Sequence, residues 1–276
     1  ETAGSVLGKI SAGVSGNNSG ANTTDLSIIQ SGGSIEGVGK GIWAINNGKG
    51  STLIQTAGDV NGTKEQGINA SNLTASQNLT VIKKKKKILG YTNGILATNT
   101  GKGSTILETS GIVNGTTQNG ITVTNGATAK DLNISQGAGS IKGQTNGIIT
   151  SNSGTGGSTT IQTAGSIVGT TLNGLSITNT ATAKDLNISQ SAGTITGQTY
   201  GIYTENQSTT GGSTSIQTAG SVTGVTESGI SAKNNSTNTQ DIIIVQDGGN
   251  ISGQKHGIAS ASYGKGSTII QTSGDI

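Results

Sequence analysis

Gly139-Ser140-Ile141-Lys142-Gly143, followed without a break by Gln144-Thr145-Asn146-Gly147-Ile148-Ile149-Thr150-Ser151-Asn152, contains the two phrases that this chain repeats from end to end. The first is Gly-x-(Ile/Val)-x-Gly, which returns as Gly33-Ser34-Ile35-Glu36-Gly37 and as Gly193-Thr194-Ile195-Thr196-Gly197. The second is a glycine followed by an aliphatic residue, at Gly13, Gly41, Gly67, Gly94, Gly120, Gly147, Gly174, Gly201, Gly229 and Gly257, with successive spacings of 28, 26, 27, 26, 27, 27, 27, 28 and 28. Five residues beyond nine of these glycines stands asparagine (Asn18, Asn46, Asn72, Asn99, Asn125, Asn152, Asn179, Asn206 and Asn234), and Ser262 follows the tenth. A fixed period of this size marks a repeat architecture.

After each Gly-aliphatic pair, apolar and small residues alternate, as in Ile121/Val123, Leu175/Ile177 and Ile230/Ala232. Period-two alternation is the signature of a strand. Ahead of each Gly-x-(Ile/Val)-x-Gly lies a third short run such as Asp185-Leu186-Asn187-Ile188-Ser189-Gln190. Each repeat therefore predicts three short strands separated by Gly- and Asn-rich corners, and nothing has helical spacing. Two flavours alternate, one reading Ile161-Gln162-Thr163-Ala164-Gly165 and the other Leu186-Asn187-Ile188-Ser189-Gln190-Ser191-Ala192-Gly193. Ile54, Leu107, Ile161, Ile216 and Ile270 mark the first flavour at intervals of 53, 54, 55 and 54.

One coil holds too few aliphatic side chains to offset the entropy of ordering its backbone, so each must stack on its neighbours. The expected fold is all-β: a single-chain parallel β-solenoid over residues 1–276, about ten coils of ~27 residues in five ~54-residue double repeats, with no helices of note. At about 4.8 Å per coil the rod is about 48 Å long. The asparagine column is expected to form an internal ladder at one corner, its amides bonding to those above and below and its backbone tolerating left-handed geometry; it resembles the asparagine ladders of bacterial β-helices. Glu1-Thr2-Ala3-Gly4-Ser5-Val6 aligns in phase with Gln271-Thr272-Ser273-Gly274-Asp275-Ile276, which leads us to expect a segment of a longer array.

Pro, Cys, Met, Phe and Arg are absent, and Gly numbers 48 of 276 residues. Such a composition excludes an ordinary globular core, while the phased aliphatics argue against disorder. No 18-residue apolar run is present, so no transmembrane helix is expected. The net charge of +3 comes from one place: without Lys83 to Lys87 the balance is eleven positive against thirteen negative groups, or −2. A nucleic-acid stripe would repeat its cations along a face, so no specific nucleic-acid partner is expected.

Asn78 to Gly90 aligns without a gap on Asp131 to Gly143, so Lys83, Lys84, Lys85, Lys86 and Lys87 replace Gln136-Gly137-Ala138-Gly139-Ser140 at a corner. Lys86 stands where the sibling copies have glycine; a left-handed backbone there costs a lysine roughly 1–2 kcal/mol. Three readings are open for this run: a solvated corner, a contact for an anionic polymer that gains from counterion release, and a placeholder foreign to the repeat, which the peptide mass across Ile82 to Ile88 decides.

Groups for chemistry are sparse. The one histidine, His256, stands alone, and Asp131 and Asp185 would lie about 10 Å apart in a column with Asp25, Asn78 and Asp241. A structural place at the start of a strand accounts for that column better than paired-carboxylate catalysis, so no catalytic residue, cofactor or metal is expected. Calcium-binding nonapeptides are missing: Gly156-Gly157-Ser158-Thr159-Thr160 and Gly211-Gly212-Ser213-Thr214-Ser215 lack the aspartate. Trp43, Leu96, Ile149 and Tyr203 occupy one outward column and predict a mildly apolar surface stripe for ligand binding or lateral packing.

Cysteine- and proline-free coils rich in Gly, Ser, Thr and Asn, with tandem Gly-Ser-Ile-x-Gly and Asn-Gly-Ile phrases, resemble the passenger repeats of bacterial autotransporter and filamentous-haemagglutinin-type adhesins. The resemblance implies type V secretion, an extracellular or cell-surface location, and a rod that binds host, neighbouring cell or matrix. The expected function is thus the non-catalytic shaft of a surface adhesin or a subunit of an extracellular filament. Expected partners are further copies of the chain, end to end or side by side, and a cell-surface glycan or anionic polymer. A glycan-binding or polysaccharide-degrading β-helix and a viral fibre shaft are the alternatives.

Overall fold

The computed structural model describes residues 1–20 and 22–276, and its thirty strands form three parallel sheets of ten strands each. Each coil contributes one strand to each sheet, and every strand between the first and last coils pairs with its counterparts one coil before and one coil after. The first sheet runs from Val6–Gly8 to Ile251–Gly253 and carries the Gly-x-(Ile/Val)-x-Gly phrase. The second runs from Val14–Asn18 to His256–Ser262, and the third from Leu26–Gln30 to Thr268–Thr272. The fold is the expected parallel β-solenoid of ten coils, without a helix among the described residues.

Register follows the repeat. Ile121, Ile148 and Leu175 are successive partners, as are Asn125, Asn152 and Asn179 at the other end of the same strands. Because side chains alternate along a strand, one choice of register places every aliphatic inside. The coil that starts at Ser140 shows the outcome: Ile141 from the first sheet, Ile148, Thr150 and Asn152 from the second, and Thr159, Ile161 and Thr163 from the third are all buried. In the next coil the corresponding set is Ile167, Leu175, Ile177, Asn179, Leu186, Ile188 and Gln190, also buried. The two flavours thus alternate large over small, and the inner column of the third sheet runs Leu79, Thr105, Leu132, Thr159, Leu186, Thr214, Ile242.

Two glycines of each coil are required by close approach. A Cβ on Gly143 would sit 1.9 Å from the carbonyl oxygen of Asn146, and the equivalent glycine of all ten coils faces such a carbonyl at 1.8–2.2 Å. The chain turns there from the first sheet to the second with no room for a side chain. On Gly147 a Cβ would meet Cγ2 of Ile167 at 2.4 Å, so the next coil's aliphatic packs onto bare backbone. By contrast, a Cβ on the corner residue Gly137 would meet nothing closer than 3.6 Å. Gly143→Ala is therefore expected to destabilise the solenoid by about 1–3 kcal/mol in a denaturant titration, and Gly137→Ala to stay within about 0.5 kcal/mol of the parent.

Candidate functional site

Chemistry-bearing side chains lie at the corners and on the outer face of the second sheet. The asparagines Asn46, Asn72, Asn99, Asn125, Asn152, Asn179, Asn206 and Asn234 each end a strand of that sheet and are buried, with Asn18 in register at the first coil. The expected amide-to-amide ladder is corrected by their contacts. Among the described residues only Asn18 bonds to its neighbour in the column, donating from Nδ2 to Oδ1 of Asn46 at 3.0 Å. None of the column has positive φ, so left-handed backbone is not why asparagine is there.

The amides instead pair with corner backbone, in two alternating ways. Oδ1 of Asn46, Asn99, Asn152 and Asn206 accepts the backbone N–H two residues on at 2.9–3.1 Å. Oδ1 of Asn72, Asn125, Asn179 and Asn234 accepts the hydroxyl of Thr52, Thr105, Thr159 and Thr214 from the preceding coil at 2.5–2.7 Å. The Nδ2 groups of this second set donate to two successive corner carbonyls each, at 2.8–3.2 Å. The second carbonyl of each pair, that of Asn78, Asp131, Asp185 and Asp241, also accepts the backbone N–H of Thr52, Thr105, Thr159 and Thr214 from the preceding coil. The threonine–asparagine handshake occurs once per two coils.

A side-chain ladder does exist, in the column of the residue that precedes each Gly-aliphatic pair. Backbone N–H groups of Asn119, Asn146, Asn173 and Tyr200 donate to Oδ1 of Asn93, Asn119, Asn146 and Asn173 respectively, at 3.0–3.3 Å. The signal was the asparagine of the Asn-Gly-Ile phrase itself, present at this place in only four of the ten coils. The acidic column is likewise an inter-coil clamp. Oδ1 of Asp25, Asn78, Asp131, Asp185 and Asp241 accepts the backbone N–H of Ser51, Ser104, Ser158, Ser213 and Ser267 in the following coil at 2.7–3.0 Å. Asn78 does this as well as the aspartates do, so the contact needs an oxygen and not a charge.

The lysine run divides into two parts. Lys84, Lys85, Lys86 and Lys87 are exposed, and Lys85 to Lys87 line a depression of about 510 Å³ together with Asp59, Ser110 and Gly139. Lys83 is 1% exposed, which removes it from the expected polyanion contact. Its strand position belongs to a buried column with Gln30, Gln136, Gln190 and Gln246, whose amides donate to corner carbonyls at 3.0–3.4 Å. The Lys83 ammonium takes over that duty by donating to the Gly58 carbonyl. Burial pushes its pKa down to about 8, partly offset by Asp59, with Lys86 adding repulsion. Lys85 and Lys86 both have φ 57°; of the glycines that stand in the place of Lys86 elsewhere, Gly33, Gly139, Gly193 and Gly249, in coils of the same flavour, have φ 67°, 118°, 77° and 71°, while those of the other flavour are not left-handed.

Trp43, Leu96, Ile149 and Tyr203 face outward, half-buried, two coils apart in register, with Asn69, Thr122 and Ser176 between them. The stripe is aliphatic in its middle and aromatic at its ends. The Lys40 ammonium lies 5.0 Å from the Trp43 ring centroid. The Tyr203 ring lies 5.4 Å from that of Tyr200, tilted by 33°, and 5.5 Å from the Lys233 ammonium. Tyr203 donates its hydroxyl to Oε2 of Glu205 at 3.1 Å, and Oε1 of Glu205 accepts from Gln207 at 2.8 Å and from Asn235. Burial and the neighbouring Glu205 carboxylate push the Tyr203 phenol up to about 12. Burial alone would raise the Glu205 carboxyl, yet its hydrogen bonds and the Lys233 charge together hold it below the usual range.

No known protein family, curated protein or solved structure matches this chain.

Thr105→Val strands the Oδ1 of Asn125 inside the corner and is expected to cost about 1–3 kcal/mol by chemical denaturation. Lys83→Gln restores the glutamine column and is expected to stabilise. The folded-state pKa of Lys83 lies below its unfolded value, so the cost of burying the ammonium is fully present below about pH 8 and is gone above about pH 10.5. The stability difference between Lys83→Gln and the parent should accordingly shrink by on the order of 3 kcal/mol as pH rises through that window. Lys86→Gly should add roughly 1–2 kcal/mol from the backbone, plus relief of its repulsion of Lys83, which fades as the ammoniums lose their protons at high pH.

Proposed function

We propose that this chain is a non-catalytic structural rod, the shaft of a secreted bacterial surface adhesin or a subunit of an extracellular filament. The observation that carries the reading is the use of the Asp25, Asn78, Asp131, Asp185 and Asp241 column: one side-chain oxygen of each accepts the next coil's backbone N–H, and asparagine serves there as well as aspartate. The acids that would have to act in polysaccharide cleavage are thereby accounted for by coil stacking. The corner asparagines and the second amide ladder serve the same end, and the resemblance of the Gly-Ser-Ile-x-Gly and Asn-Gly-Ile phrases to adhesin passenger repeats supports an extracellular setting.

A shaft tolerates a change of length in whole repeats. Deleting residues 132–185, which are 54 residues, joins Lys130-Asp131 to Leu186-Asn187 and so recreates a junction that already occurs in the chain. In the protein on its source cells, antibody against the chain should label intact cells, and cell attachment should persist with a rod about 10 Å shorter. Loss of attachment while the shortened chain remains folded at the surface, or labelling only inside cells, would overturn the reading.

A further inference from the structure

The outer face of the second sheet is occupied mostly by Ser, Thr and small residues, as in Thr122/Thr124 and Ser176/Thr178. Stacking therefore asks little of these positions. In the strands from Val14–Asn18 to Ser228–Asn234, among the described residues, the outward-facing positions hold one carboxylate, Glu205, and one ammonium, Lys233, and the two are register partners in adjacent coils. Beside them stand Tyr203 and, at the corner before it, Tyr200. The charged groups of this face are thus gathered into one patch: sibling coils fill the Glu205 and Lys233 position mostly with serine or threonine, while the Tyr203 column also holds Trp43, Leu96 and Ile149.

We infer that Tyr200, Tyr203, Glu205, Gln207, Lys233 and Asn235 form a binding site for a neutral glycan. Both tyrosine rings are half-exposed and neither stacks flat on the other; Lys233 lies over Tyr203, and the ring surface left exposed suits the C–H face of a sugar ring. The Glu205 carboxylate is held in place by Tyr203, Gln207 and Asn235 before any ligand arrives, which lowers the ordering cost of binding. Its remaining acceptor capacity, with the exposed amides of Gln207 and Asn235, suits hydroxyl groups. The single carboxylate and single ammonium compensate each other, and so the patch favours an uncharged partner over an anionic polymer. This adds a binding function to the shaft. The variant lacking residues 132–185 keeps the whole patch, so failure of the shaft reading and failure of this one are separable.

The test is affinity electrophoresis of the purified chain through gels containing galactomannan, xyloglucan, mannan, dextran, polygalacturonate or heparin. Variants are taken from sibling coils to preserve the fold: Tyr203→Ser copies Ser176, and Tyr200→Asn copies Asn173, with circular dichroism confirming the β-structure. At least one neutral polysaccharide should retard the parent chain, with affinity falling roughly tenfold or more in either variant. Replacement of Lys84 to Lys87 by serine should leave that retardation unchanged. No retardation by any neutral polysaccharide, equal retardation of the tyrosine variants, or retardation only by heparin or polygalacturonate that disappears with Lys84 to Lys87 would each overturn the inference.

Discussion

Everything in this rod depends on keeping backbone groups paired where the chain turns. Along the strands the problem solves itself, because parallel stacking at about 4.8 Å gives each N–H and C=O a partner in the next coil. Corners have no such ladder, and several of them are buried. The solenoid meets the requirement with short side chains that imitate backbone: the corner asparagines, the Gln30-type column, the aspartates that receive the next coil's serine N–H, and the Asn93 to Asn173 ladder. The Gln30, Gln190 and Gln246 amides satisfy corner carbonyls through Nε2 while their own Oε1 finds no partner.

The same requirement explains why the repeat is two coils long and not one. Leucine over threonine in the third sheet packs large against small, and the threonine hydroxyl then finds the asparagine of the following coil. That asparagine, its carbonyl oxygen engaged, spends its amide on the corner carbonyls beyond it. Asparagines of the other flavour meet no such hydroxyl at Oδ1 and close the turn through the N–H two residues on. A single column of identical residues therefore carries two hydrogen-bonding roles, set by what lies below it.

The lysine corner is where this scheme is most strained. Lys83 reproduces the donor half of a buried amide but brings a charge, while Lys85 and Lys86 adopt a backbone that glycine adopts at the second position without penalty. The patch around Tyr203 shows the opposite relation. Its side chains satisfy no corner and fill no core, and the fold contributes the spacing that brings Glu205 to Lys233 and Asn235.

Period, strand number, register and the inside or outside placement of each aliphatic were legible in the sequence, because they rest on glycine steric limits and on period-two alternation, both local properties of the chain. The glycine column at Lys86 marked a candidate left-handed site, but only the structure shows that coils of one flavour are left-handed there and those of the other are not. Pairings between polar side chains were not. Asn152 and Asn179 occupy the same place in their repeats, yet only the stacked structure shows one accepting a backbone N–H and the other a threonine hydroxyl. Nor does sequence distinguish Lys83 from Lys84, since burial of the first depends on which residue of a corner still belongs to the strand. A hydrogen bond is decided by distances of a few tenths of an ångström between groups 20 to 30 residues apart, and those distances exist only once the coils have stacked.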